Sequence, residues 1–121
     1  MYRHTAWIAL GAFALVGAAA AQTLEIVEGA RELELGNVSF PDSTAGTLIF
    51  KNCPTCEATA LRVSSTTTYS TAQGQQDLPA FLERVAEIDR ASADSDKTPL
   101  TVFYSLATGR VTRISVHDDS N

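Results

Sequence analysis

The chain has 121 residues, a formal net charge of −5 at pH 7 and only two cysteines. An excess of acids repels phosphates rather than neutralising them, which argues against nucleic acid and anionic lipid as partners. A chain of this length is enough for one small domain with a single core.

The first elements read as an export signal. Arg3 and His4 form a short basic start, and Trp7, Ile8, Leu10, Phe13, Leu15 and Val16 make the run over residues 6–16 apolar. Ala19-Ala20-Ala21 then supplies the small residues that signal peptidase requires. The pattern predicts a signal peptide over 1–21 and a single small exported domain over 22–121. Because the run is shorter than the roughly 20 apolar residues of a spanning helix, cleavage is expected in place of anchoring. No second apolar stretch follows, so no membrane contact is expected after cleavage. An Ala-rich signal of this kind suits the periplasm or the exterior of a bacterium.

Residues 24–38 alternate loosely, with Leu33 and Leu35 before a Gly36-Asn37 turn signal and Val38 and Phe40 after it. Period two predicts one or two short strands there. Loop chemistry fills residues 41–46, and Thr47-Leu48-Ile49-Phe50 reads as a strand that ends at the cysteine pair. Leu61 and Val63 mark another strand over 59–63. The β-branched and hydroxyl residues over 64–71 favour strand over helix.

One helix is predicted, over about 78–91. Asp77 can cap it, Pro79 fits its first turn, and Leu78, Phe81, Leu82, Val85 and Ile88 recur at helical spacing. Glu83, Arg84, Glu87, Asp89 and Arg90 fall on the other side, expected to face water. A polar linker over 92–98 precedes two strands, 100–104 and 111–116, whose Ala107-Thr108-Gly109 connection predicts a hairpin. The fold class is therefore α+β: a small, mostly antiparallel sheet of four to six strands, one amphipathic helix and a C-terminal hairpin.

Cys53-Pro54-Thr55-Cys56 is the motif that carries chemistry. Two thiols three residues apart in an oxidising compartment can close a disulfide, exchange disulfides with a partner, or donate to a soft metal such as Cu(I) or zinc. The surroundings allow two local structures. In one, the pair tips a hairpin between strands 47–50 and 59–63, with Pro54 setting the turn. In the other, Pro54 begins a helix whose dipole lowers the pKa of Cys53.

The helical alternative resembles the thioredoxin and glutaredoxin family. The segment Phe50-Lys51-Asn52-Cys53-Pro54-Thr55-Cys56 follows a strand as that active site does, and Thr98-Pro99 precedes a hairpin where the family places a cis-proline. The resemblance implies a thioredoxin-like α/β fold and thiol–disulfide exchange, with Cys53 attacking, Cys56 resolving and Pro99 facing substrate. Against it stand Asn52, where the family has an aromatic residue, and Val63-Ser64-Ser65-Thr66-Thr67-Thr68, a poor sequence for the long helix that should follow.

No other constellation points to catalysis or to a bound cofactor. Glycine-rich phosphate loops, a serine elbow and an H-E-x-x-H helix are missing, and Glu57 stands where a haem-attachment motif needs histidine. His117-Asp118-Asp119 reads as a surface tail. The leading expectation is a non-enzymatic exported module in which the oxidised pair, Cys53 and Cys56, shapes a loop for contact with a protein partner. Thiol–disulfide exchange and soft-metal binding through the same two residues stand as alternatives.

Overall fold

The computed structural model describes residues 27–118, so the expected signal peptide over 1–21 lies outside the described residues. Within them run β1 (Glu28–Glu34), β2 (Val38–Ser39), β3 (Thr47–Lys51), β4 (Ala58–Arg62), β5 (Thr68–Thr71) and β6 (Gly74–Gln76). The helix α1 (Leu78–Ala91) follows, then β7 (Pro99–Ser105) and β8 (Val111–Val116). The strands divide into two sheets, ordered β1-β7-β8-β5-β6 and β2-β3-β4. Every pairing is antiparallel except that of β5 with β8. This is a small α+β fold with a C-terminal hairpin.

Side-chain alternation places both sheets on one core. In β3, Leu48 and Phe50 are buried while Thr47, Ile49 and Lys51 face out, the period-two signature of a strand with one wet face. Leu33 of β1, Leu100 and Val102 of β7, and Ile114 and Val116 of β8 point inward from the larger sheet and join the same cluster. The helix α1 supplies Leu78, Phe81 and Ile88 to it, with Leu82 and Val85 packed at the margin. Phe81 is fully buried, meeting Phe40 edge-on at 5.3 Å and the tilted ring of Tyr69 at 5.1 Å between centroids. Burying such a side chain contributes about 1.5–3 kcal/mol.

Local chemistry sets the ends of these elements. The Asp77 carboxylate accepts the Ala80 amide at 2.9 Å and caps α1, and Pro79 fills the first turn. Gly109, with φ of 74°, closes the turn between β7 and β8 in a backbone conformation that side chains resist. Gly29 in β1 leaves room for the Tyr104 ring, which lies directly over it.

Three expectations from the sequence need correction. The strand sought over 64–71 begins only at Thr68, because the hydroxyls before it bond locally. The Ser64 amide donates to Thr67 Oγ1 at 3.0 Å, and the Thr67 hydroxyl donates to the Val111 carbonyl at 2.7 Å. Such side-chain bonds compete with a strand ladder and build a turn. The polar side of α1 is likewise not all solvated: Asp89 accepts the Ser95 hydroxyl, and Arg84 is held by Asp118 at 2.6 Å and by Glu87 at 3.1 Å.

The third correction concerns the C-terminal His117 and Asp118, which are anchored rather than trailing. The His117 amide donates to the Pro99 carbonyl, and its Nε2 shares a 2.8 Å hydrogen bond with Thr101 Oγ1. Asp118, whose side chain is 4% exposed, accepts the Ala72 amide at 2.9 Å as well as the Arg84 guanidinium. Burial alone would raise the Asp118 pKa. The Ala72 amide and Arg84 outweigh it and hold the carboxyl below its ordinary value. One carboxylate thus ties the end of β8 to α1 and to the turn after β5.

Candidate contact site at the disulfide loop

Residues 52–57 join β3 to β4, and the two sulfurs meet at the tip of that hairpin. Cys53 and Cys56 form a disulfide with their Cα atoms 5.1 Å apart, and the Cys56 amide donates to the Cys53 carbonyl at 3.1 Å. That bond and spacing define a β-turn with Pro54 in its second position, where a φ near −65° is required. Immediately beneath, Lys51 pairs with Ala58 and the ladder runs on to Thr47 opposite Arg62. Pro54, Thr55 and Glu57 are exposed, and the two cysteines are half-buried.

The hairpin arrangement decides between the two local structures. The chain after Cys56 enters β4 and not a helix, so no helix dipole acts on Cys53. The Thr98–Pro99 peptide is trans. The thioredoxin-like fold implied by the resemblance is therefore overturned. Its physical reason is already visible in the residues after the pair, where β-branched and hydroxyl side chains disfavour a long helix.

The structure also separates the pair from His117, the histidine among the described residues. His117 lies at the end of β8 in the larger sheet, hydrogen-bonded to Thr101, while the cysteines sit on the three-stranded sheet. Among the described residues no group of three or more His, Cys, Asp or Glu is placed to hold a metal ion. Joined to each other, the two sulfurs offer no thiolate.

Beside the loop lies a feature that no sequence motif announces. An open groove of about 320 Å³ runs between the 3-10 turn at Leu35–Asn37 and the hairpin, lined by Asn37, Ser39, Ile49, Lys51 and Pro54 among others. Ile49 is 45% exposed although it sits between two buried neighbours. Strict alternation through Leu48-Ile49-Phe50 would have found it, since one of three consecutive apolar residues in a one-faced strand must point to water. Strands β2, β3 and β4 carry Lys51 and Arg62 and no carboxylate, within a chain of net charge −5.

The hairpin and its groove can therefore present a fixed loop, an apolar side chain and two cations to a partner. Comparison with protein-family models, with curated proteins and with solved structures found no match to this chain.

Proposed function

We propose that the chain is an exported, non-enzymatic binding module that meets a protein partner through the hairpin loop shaped by Cys53 and Cys56. The observation that carries this reading is the position of the disulfide, at the exposed tip of the β3–β4 hairpin beside an open groove. A cross-link over so few residues restrains the unfolded chain only weakly, so its main effect is local, in holding one loop shape. Export into the periplasm or exterior of a bacterium, following removal of residues 1–21, supplies the oxidising conditions under which the pair stays closed.

Thiol–disulfide exchange is the weaker reading. An exchanging cysteine needs a stabilised thiolate, usually from a helix N-terminus or a nearby cation. Here Lys51 and Glu57 flank the pair with opposite signs, and β4 replaces the helix.

Site-specific cross-linking tests the proposal. A photoreactive amino acid at position 55, in the loop, should yield a discrete protein adduct in producing cells. The same group at position 106, in the β7–β8 turn, should yield none. Adducts from position 106 and none from position 55 would move the contact away from the disulfide loop.

A further inference from the structure

A strand edge exposes backbone donors and acceptors that invite another strand, and folded proteins blunt their edges by shortness, charge or irregularity. The two sheets present four edges, three of them blunted. β1 carries Glu28, Arg31, Glu32 and Glu34; β2 is two residues long; β6 is three residues and opens with a glycine. β4 differs. Its five residues, Ala58-Thr59-Ala60-Leu61-Arg62, contain no proline and no internal charge, and their register with β3 is unbroken. Among the described residues nothing pairs with its outer edge.

The register of β3 against β4 specifies what such an edge can recognise. On the exposed face Lys51 stands opposite Ala58, Ile49 opposite Ala60 and Thr47 opposite Arg62. Neighbouring strands lie about 4.8 Å apart, so an added strand sits two spacings from β3 with only the two alanines between. Lys51, with its long stem, can reach over Ala58, Ile49 forms an apolar strip with Ala60 beside the edge, and Arg62 meets the added strand directly. Along the edge itself stand Ala58, Ala60 and Arg62, with Lys51 and Ile49 one strand behind the two alanines.

The geometry points to β4 as the docking edge for an extended acidic segment of a partner protein, its residues alternating acidic, any, apolar, any, acidic. One acid pairs with Arg62, the apolar residue packs on Ala60 beside Ile49, and the second acid comes within reach of Lys51. This inference rests on the binding-module reading and adds the chemistry of the partner. Charge complementarity selects that occupant. Pairing β4 with β4 of a second copy would bring Lys51 and Arg62 of both copies onto one face, where like charges oppose association.

Two synthetic peptides test it by NMR on the purified, disulfide-bonded protein at low salt. One is blocked Thr-Glu-Thr-Val-Thr-Glu-Thr, and the other has lysine in place of both glutamates. The acidic peptide should shift the amide signals of residues 58–62 and slow their exchange, and the lysine peptide should bind at least tenfold more weakly. Arg62→Glu, an exposed change, should weaken the acidic peptide at least tenfold. N-methylation of alternate peptide residues should abolish binding by removing the backbone donors. Equal affinity for the two peptides, or no shift at 58–62, would overturn the inference. Shifts confined to residues 52–57 would overturn it while leaving the loop as a contact site. Dimerisation by sedimentation, with residues 58–62 protected in the absence of peptide, would make a second copy the occupant and overturn it too.

Discussion

The two sheets share one core yet are built to different standards. The five-stranded sheet is backed by α1, its side chains Leu100, Val102, Ile114 and Val116 are almost wholly buried, and its end is clasped by Asp118. The three-stranded sheet contributes Leu48 and Phe50 to that core, but it exposes Ile49, leaves the outer edge of β4 unpaired among the described residues and is closed by a turn with a local disulfide. On the proposed reading, stability and contact are divided between them. The larger sheet and helix supply most of the core, and the smaller sheet turns Thr47, Ile49 and Lys51 to the outside.

The division breaks most visibly at Phe81. Phe81→Ala removes the ring that joins Phe40 and Tyr69 and should cost about 3–5 kcal/mol, measured by urea denaturation. A loss below 1 kcal/mol would mean that the helix is not the keystone of the core. On the smaller sheet, opening the disulfide by the double change Cys53→Ser and Cys56→Ser should cost at most about 2 kcal/mol, the closure entropy of a four-residue loop. A larger loss would give the hairpin a global role and blur the comparison.

The clasp at Asp118 adds a pH dependence to the larger sheet. Its carboxyl titrates below the ordinary value in the folded state, so the stability it adds is present above the unfolded pKa, about 3.9. That stability is lost as pH falls through the folded value. Asp118→Asn should lower the urea midpoint at pH 7, and the gap from the parent protein should close as pH drops below about 4. A gap that persists unchanged at pH 2 would show that charge is not what the clasp uses.

Two conservative changes carry the smallest effects. The Tyr69 hydroxyl is buried with no hydrogen-bond partner among the described residues, and burial raises its pKa. Tyr69→Phe should therefore leave stability unchanged or raise it by up to about 1 kcal/mol. A loss would reveal a polar interaction that the packing does not account for. Ile49→Thr, on the exposed face of β3, should shift stability by less than about 0.5 kcal/mol while weakening any contact made through the groove.

What could be read from the sequence follows the range of the interactions involved. The helix was legible because its cap, its proline and its apolar spacing are all local to residues 77–88. The β7–β8 hairpin was legible for the same reason, through Gly109. Pro54 and the short spacing of the cysteines allowed a hairpin tip but not a choice against a helix start, since both begin with the same residues. The parallel pairing of β5 with β8 joins residues more than 40 positions apart and leaves no periodic trace. β6 is a polar strand, Gly74-Gln75-Gln76, with no apolar alternation to betray it. Asp118 looked like part of a solvated tail, because its partners Ala72 and Arg84 come close only in the folded chain.

The reduction potential of the Cys53–Cys56 couple tests the central claim most directly. Equilibrated in dithiothreitol buffers, the protein should show a potential below about −300 mV, as expected of a structural disulfide whose reduced form gains no stabilised thiolate. A value between about −120 and −270 mV would place the couple among exchange proteins and contradict the account of the loop as a fixed contact surface.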